Sequence, residues 1–269
     1  MARQPWRGSS MRAYVWDRCL LLQAGTLVVD RRARPYKRLS ATIVVAIGRP
    51  FVLELDGEAA REYRGILIAP NVLRRYIEAV ESDVTFLDAG ITSRAYRDLA
   101  PHLARDRLRS LTDDELGRMV PRLRDGFAAA MDCAAAMRLF DDVVRAISPA
   151  SAPDIARDAR VARVMELVEA SSFSGVSVGA LAREVGLSES RLRDLFRRDL
   201  GCRLSQYMRW VAAWKAVGLW QQGMKFTDVA HAVGFHDLAH ADHAFTEIFG
   251  LSPSEVTDPR RIALHKCGA

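Results

Sequence analysis

VGFHDLAHADHAFTEIFGLSP, residues 233–253, is the stretch on which the reading of the fold turns. Val233-Gly234-Phe235, Phe245, Phe249-Gly250 and Ser252-Pro253 punctuate it as the turn and second helix of a helix-turn-helix. Yet it contains no Lys or Arg, and it sets His236, His240 and His243 beside Asp237, Asp242 and Glu247. A helix meant to lie against phosphates has no plain reason to be acidic.

An earlier segment, LAREVGLSESRLRDLFRRDLGCRLSQY from Leu181, repeats the pattern with opposite charge. Ala182, Val185, Gly186 and Leu187 match Ala230, Val233, Gly234 and Phe235 at an offset of 48 residues. Phe196 and Gly201 match Phe245 and Gly250 at an offset of 49, so the second copy holds one extra residue after its turn. In the first copy a short helix buries Val178, Leu181, Ala182 and Val185. Gly186 ends it, because the sharp turn needs a backbone conformation that costs other residues energy. Ser188 caps the next helix, and Leu192, Leu195 and Phe196 face inward. Ser190, Arg191, Arg193, Asp194, Arg197 and Arg198 are left on its surface. Arginines so placed can grip guanine edges through two hydrogen bonds or neutralise phosphates.

Here the chain resembles the AraC/XylS family of transcription regulators, over about residues 158–256. The second copy carries the resemblance through Val229-Ala230, Val233-Gly234-Phe235, Phe245, Phe249-Gly250 and Ser252-Pro253. The first does so through Leu181-Ala182, Val185-Gly186, Ser188, Leu192, Leu195-Phe196, Gly201 and Tyr207. Ser205 to Gln222 corresponds to the long helix that joins the two subdomains. The resemblance implies double-stranded promoter DNA as partner, with two recognition helices in successive major grooves. On the first, Ser188, Ser190, Arg191, Arg193, Asp194, Arg197 and Arg198 are the candidate DNA contacts. On the second they are His236, Leu238, Ala239, Asp242 and His243. The resemblance also implies a cupin-like N-terminal domain that senses an effector or forms a homodimer, and RNA polymerase as partner of an activator.

The chain departs from the family where the charge matters. Arg or Lys is common there at the positions of His243, Thr246 and Glu247, and a large apolar residue at that of Ala241. From Ser177 to Lys225 nine basic residues stand against four acids; from Phe226 to Glu255 there are five acids and no Lys or Arg. Each lost phosphate contact weakens affinity and flattens its salt dependence. The first copy is therefore expected to dominate. An alternative function is that of a partner-dependent adaptor whose acidic second copy docks on a basic protein surface. His236, His240 and His243 share a helical face that could hold zinc, but family-typical surface positions explain the same spacing, and no metal or cofactor is expected.

The N-terminal half points to an α+β fold. ATIVVAIG, PFVLELDG, REYRGILIAP and DVTFLDAG read as short strands of a small barrel between Ala41 and Leu87. Residues 1–16 read as a basic, poorly ordered arm. Thr112 and Glu115 form a capping-box pattern, and Leu116, Val120, Leu123, Phe127, Ala130, Ala134 and Met137 follow at a 3.5-residue period. That stripe serves either packing on the barrel or a dimer seam. SPASAPD is the linker, giving a sensor or dimerisation domain at 1–147, a linker at 148–154, a DNA-binding domain at 155–257 and a tail at 258–269.

The chain has 269 residues, a formal charge of +6 and 49% hydrophobic residues, enough for two cored domains and consistent with a polyanionic partner. No apolar run approaches the roughly 20 residues that span a bilayer. CLLLQAGTLVV from Cys19 reads as two strands, since Asp17 lies upstream and no cleavage site follows, so a cytoplasmic location is expected. Cys19, Cys133, Cys202 and Cys267 are scattered without a CxxC pair, which predicts free thiols. Residues 30–100 contain no histidine, so a cupin metal centre and catalysis are not expected. Tyr36, Lys37, Arg38, Arg74 and Arg75 offer an anion-attracting set near the barrel openings, or simply a basic surface.

Overall fold

The computed structural model describes the backbone of residues 6–8 and residues 11–29, 31, 33–55, 57–150, 152 and 157–268. The chain divides into two compact units. Unit 1 comprises Met1–Pro153 together with Glu255–Ala269, and unit 2 comprises Asp154–Ser254.

Unit 1 is built on two sheets. Its first strands are β1 (Trp6–Gly8), β2 (Met11–Trp16), β3 (Cys19–Ala24), β4 (Leu27–Val29), β5 (Tyr36–Lys37) and β6 (Ser40–Ala46). β7 (Phe51–Leu55), β8 (Arg61–Tyr63), β9 (Gly65–Ile68), β10 (Leu73–Ala79), β11 (Val84–Gly90), β12 (Leu108–Ser110) and β13 (Ile262–Lys266) complete them. One sheet runs β1-β4-β10-β7-β8 with β5 on β10; the other runs β12-β9-β6-β11-β3-β2-β13. β3, β6, β9 and β11 are buried at every residue, so the second sheet is covered on both faces. Leu21, Ile43, Val45, Leu67 and Leu87 form one face of that cover, packed with Leu116, Leu123, Phe140 and Val143 from helices.

Those helices are α1 (Arg94–Leu99), α2 (Asp113–Ala128) and α3 (Cys133–Ile147). The capping box is present: Thr112 Oγ1 accepts from the Glu115 N–H at 3.2 Å, and Glu115 Oε2 accepts from the Thr112 N–H at 2.8 Å. The 3.5-residue stripe does not run through one helix. α2 stops at Ala128, and Asp132 caps α3 by accepting from the Ala135 N–H. Leu116 and Leu123 are spent on the core of unit 1, with Val120, Phe127 and Met137 packed beside them, while Ala130 and Ala134 are exposed. The stripe is thus packing on the unit's own sheet. Pro121 lies inside α2.

Three further expectations change. The arm at 1–16 supplies β1 and β2, with residues 1–5, 9 and 10 outside the described residues. The tail at 258–269 contains β13, which pairs in parallel with β2 from Ile262↔Met11 to Lys266↔Val15. Cys133 and Cys267 are joined by a disulfide across 134 residues of sequence, and only Cys19 and Cys202 remain as thiols. The local reason is the placing of β2. Arg12 donates to the Phe127 and Ala129 carbonyls and Tyr14 Oη to the Met131 carbonyl, so β2 holds the turn before Cys133 and the strand before Cys267.

Of the anion-attracting set, Tyr36, Arg38 and Arg74 are buried, whereas Lys37 and Arg75 are exposed. Arg38 pairs with buried Asp88, and Arg74 donates to Thr42 at 2.5 Å. Burial pushes the Arg74 guanidinium down to about 10 and lowers that of Arg38 as well.

Candidate nucleic-acid interface

The first helix of unit 2 is α4 (Ala159–Ala170). Each of the two repeats then forms a pair of helices. The first pair is α5 (Val178–Glu184) and α6 (Glu189–Leu200); the second is α8 (Phe226–Ala232) and α9 (Leu238–Phe249). Between them runs α7 (Leu204–Leu219), and α10 (Pro253–Val256) follows the second pair.

The turns are made where the glycines stand. Gly186 has φ +65° and Gly234 has φ +93°, both in the region that favours glycine. Gly234 is also closed in: a Cβ there would meet Ser174 N at 2.7 Å and Phe173 N at 2.8 Å. The Phe173–Gly175 turn is pinned against it, with the Phe173 N–H donating to the Val233 carbonyl at 2.8 Å. Ser188 caps α6 by accepting from the Arg191 N–H at 3.3 Å. Asp237 caps α9 by accepting from the His240 N–H at 2.7 Å. That bond, and then His236, hold the Asp237 carboxyl below the usual carboxylate range.

α6 is divided cleanly by burial. Leu192, Leu195, Phe196 and Leu200 are buried, while Ser188, Ser190, Arg191, Arg193, Asp194, Arg197 and Arg198 are exposed. Arg193 lies 2.6 Å from Glu189, an exposed pair one turn apart that is cheap to break, about 0.3–0.5 kcal/mol. On α9, Ala241, Ala244, Phe245 and Ile248 are buried, while His236, Leu238, Ala239, Asp242 and His243 are exposed. Leu238 is 43% exposed, so it does not fill the space left by the small Ala241. Aromatic rings build that core instead: Phe226 and Phe249 pack on Phe245 at 4.9 and 5.2 Å between centroids.

The histidines separate by environment. His240 is packed edge-on against Phe173 and Phe235, with centroids 5.5 and 5.3 Å away. His236 is bonded to Asp237, and His231 on α8 is exposed. No zinc cluster forms among the described residues.

Sequence reasoning missed what α7 does. Phe196, Tyr207, Trp210, Trp214 and Phe249 form a continuous aromatic series, with successive centroids 5.4, 5.8, 6.4 and 5.4 Å apart. It begins on α6 and ends on α9, so both outward-facing helices are braced on one rod. Tyr207 Oη also donates to Glu169 Oε1 at 3.1 Å, fastening α4 to that rod. The spacing of large aromatics along 207–214 was the available signal.

Residues 181–258 match the family model described as Helix-turn-helix domain, which takes in both repeats. No curated protein matches the chain by sequence. Among solved structures, ToxT from Vibrio cholerae O395 is similar with a TM-score of 0.53 and 12% identity, over 95% of this chain and 98% of that one. An apo variant of ToxT from Vibrio cholerae strain SCE256 gives 0.57 and 10%, over 89% of this chain and 96% of that one. Wild-type ToxT of that strain, bound to an unsaturated fatty acid, gives 0.50 and 14%, over 84% and 89%. At these identities the likeness is one of fold: a sheet-rich N-terminal part followed by a helical domain.

Proposed function

We propose that this chain, which carries an AraC-type helix-turn-helix domain at 181–258, is a cytoplasmic transcription regulator that reads promoter DNA chiefly through α6. One observation carries the reading: Arg191, Arg193, Arg197 and Arg198 are all exposed on the second helix of a helix-turn-helix whose other face is buried. Ser188 and Ser190 at the start of α6 add hydroxyl donors beside them. Arg191 and Arg193 are assigned to base edges or flanking phosphates, and Arg197 and Arg198 to the backbone. α9 follows into the next groove with His236, Leu238, Ala239, Asp242 and His243, contributing shape and few phosphate contacts.

Unit 1 is the sensing or dimerising part. Because a ToxT structure holds an unsaturated fatty acid, long-chain carboxylic acids are the first effectors to test on it. The exposed acidic Asp242 on α9 favours one second reading, an adaptor that meets a basic protein surface such as one on RNA polymerase.

The test is selection from a randomised duplex pool, followed by footprinting and gel shifts on the winning sequence. Arg191→Ala is expected to cost about 1–3 kcal/mol on that sequence if it reads a base, and to relax preference at one position. Equal binding to every duplex would leave only charge attraction and end the proposal. Binding to a partner protein lost on Asp242→Lys, with DNA affinity unaffected, would move the assignment to the adaptor.

A further inference from the structure

We propose that Cys133 and Cys267 are a redox-modified pair: a peroxide closes their bond, a cellular dithiol opens it, and the bond locks β13 into the sheet of unit 1. Apart from the disulfide, β13 is held as an edge strand. Of β13, only Ile262 is buried, and the strand lies at the sheet edge on β2 alone. The strand is also held by the Tyr14–His265 ring stack at 4.7 Å, by the parallel ladder, and by the Met11 N–H donating to the Arg261 carbonyl at 2.7 Å and the Cys267 N–H to the Val15 carbonyl at 2.8 Å. An edge strand of five residues with one buried aliphatic opens readily; a covalent link at its end prevents release.

The chemistry balances with one named oxidant. Cys133 is half-buried at the first residue of α3 and Cys267 is buried, so Cys133 meets the oxidant first. Its thiolate attacks one peroxide oxygen; an S–O bond forms, the O–O bond breaks, and the other oxygen leaves as water after taking a proton. The Cys267 thiolate then attacks the sulfenic sulfur; the S–S bond forms and the S–O bond breaks, releasing a second water. Two thiols and hydrogen peroxide become one disulfide and two waters. A dithiol reverses this by two exchanges, ending as a disulfide itself. The other cysteines are poor competitors, since burial pushes the Cys19 thiol up to about 11 and that of Cys202 up to about 12. In a reducing compartment disulfides are rare, and those that form are usually transient and catalytic or redox-sensing.

Unit 2 is inserted into unit 1, whose sequence resumes at Glu255. With β13 locked, both ends of unit 2 are tied to folded parts of unit 1; with β13 free, only its N-terminal end is.

The test uses the full chain treated with hydrogen peroxide or with dithiothreitol. Non-reducing peptide mapping should find Cys133 and Cys267 cross-linked after peroxide, and both alkylated after dithiothreitol. Tryptic cleavage at Arg260 or Arg261 should run about tenfold faster in the reduced chain. Cys133→Ser should cleave at the reduced rate under both treatments, and reduced wild type supplies the same state without a substitution. Absence of the cross-link, or equal cleavage of both states, overturns the proposal. Its DNA arm rests on the promoter reading: the peroxide-treated chain should bind the selected duplex about tenfold more weakly than the reduced chain. Loss of all DNA binding with the cleavage difference intact would support the lock and sink the promoter reading. Equal DNA affinity in both states would confine the pair to holding the strand and overturn its part in regulation.

Discussion

Glu247 of α9 lies 3.7 Å from Arg209 of α7, so one of the acids that make the second repeat negative is turned toward the connecting helix. Glu255 is likewise occupied, 3.0 Å from Arg261, and Asp237 is a helix cap. Of the five acids in 226–255, Asp242 is the one exposed on the candidate reading face of α9.

Asp242→Lys is therefore expected to raise DNA affinity at low salt and steepen the salt dependence by about one unit, as a gained phosphate contact would. Glu247→Gln should leave affinity nearly unchanged and cost no more than about 1 kcal/mol of stability, since the pair is partly solvated. Gel shifts across a salt series, with urea unfolding beside them, separate the two.

Gly186→Ala and Gly234→Ala should differ in size. At Gly186 a Cβ meets nothing within 4 Å, so the cost is the left-handed backbone alone, about 1–2 kcal/mol. At Gly234 the same backbone cost is joined by collision with the Ser174 and Phe173 backbone, and the loss should exceed it by about 1–3 kcal/mol. Equal melting temperatures for the two variants would contradict the tight bracing of the second turn.

Glu115 makes the stability of unit 1 depend on acid. Burial alone would raise its carboxyl, but hydrogen bonds from Arg109 and then from the Thr112 N–H overcome this and hold it below its ordinary value of 4.5. A lowered carboxyl contributes stability that is fully present above the unfolded value and disappears as pH falls through the folded one. Glu115→Gln should cost about 1.5 kcal/mol at neutral pH, and less as the pH is taken below 4.5. Urea midpoints at pH 7 and pH 3.5 check this; a pH-independent penalty would show that the charge is irrelevant.

Asp88 pairs with Arg38 in a buried cluster that also holds the Arg74 guanidinium. Asp88→Asn leaves both positive, and should destabilise by about 3–5 kcal/mol. A paired Arg38→Met should recover a large part of that loss, because it removes the stranded charge; failure to recover would mean that Asp88 acts through Ser40 and Thr42 instead.

Much of unit 2 was legible because its signals are local. Gly186, Ser188 and Gly234 act within a few residues of themselves, and the spacing of Leu192, Leu195 and Phe196 declares a buried face without reference to anything distant. The α2–α3 break was hidden because Ala129 and Ala130 are good helix formers and the stripe continues in phase across the turn. β13 was hidden because IALHK buries only Ile262 at a sheet edge and reads as a polar tail. Nothing near Cys133 or Cys267 encodes a partner 134 residues away; only the packing of β2 brings the two together. The division of charge between α6 and α9 was visible at once, but that Glu247 faces Arg209 depends on how α7 lies under α9.

The return of β13 to β2 makes unit 1 discontinuous, with unit 2 inserted into it. A ribosome therefore delivers every residue of unit 2 before the strand that completes the seven-stranded sheet. During synthesis β2 is left as a bare sheet margin, open to pairing with a neighbouring nascent chain. Truncation before Ile262 makes that condition permanent, so loss of a few C-terminal residues should show itself as aggregation of the N-terminal unit while the helical insert still folds.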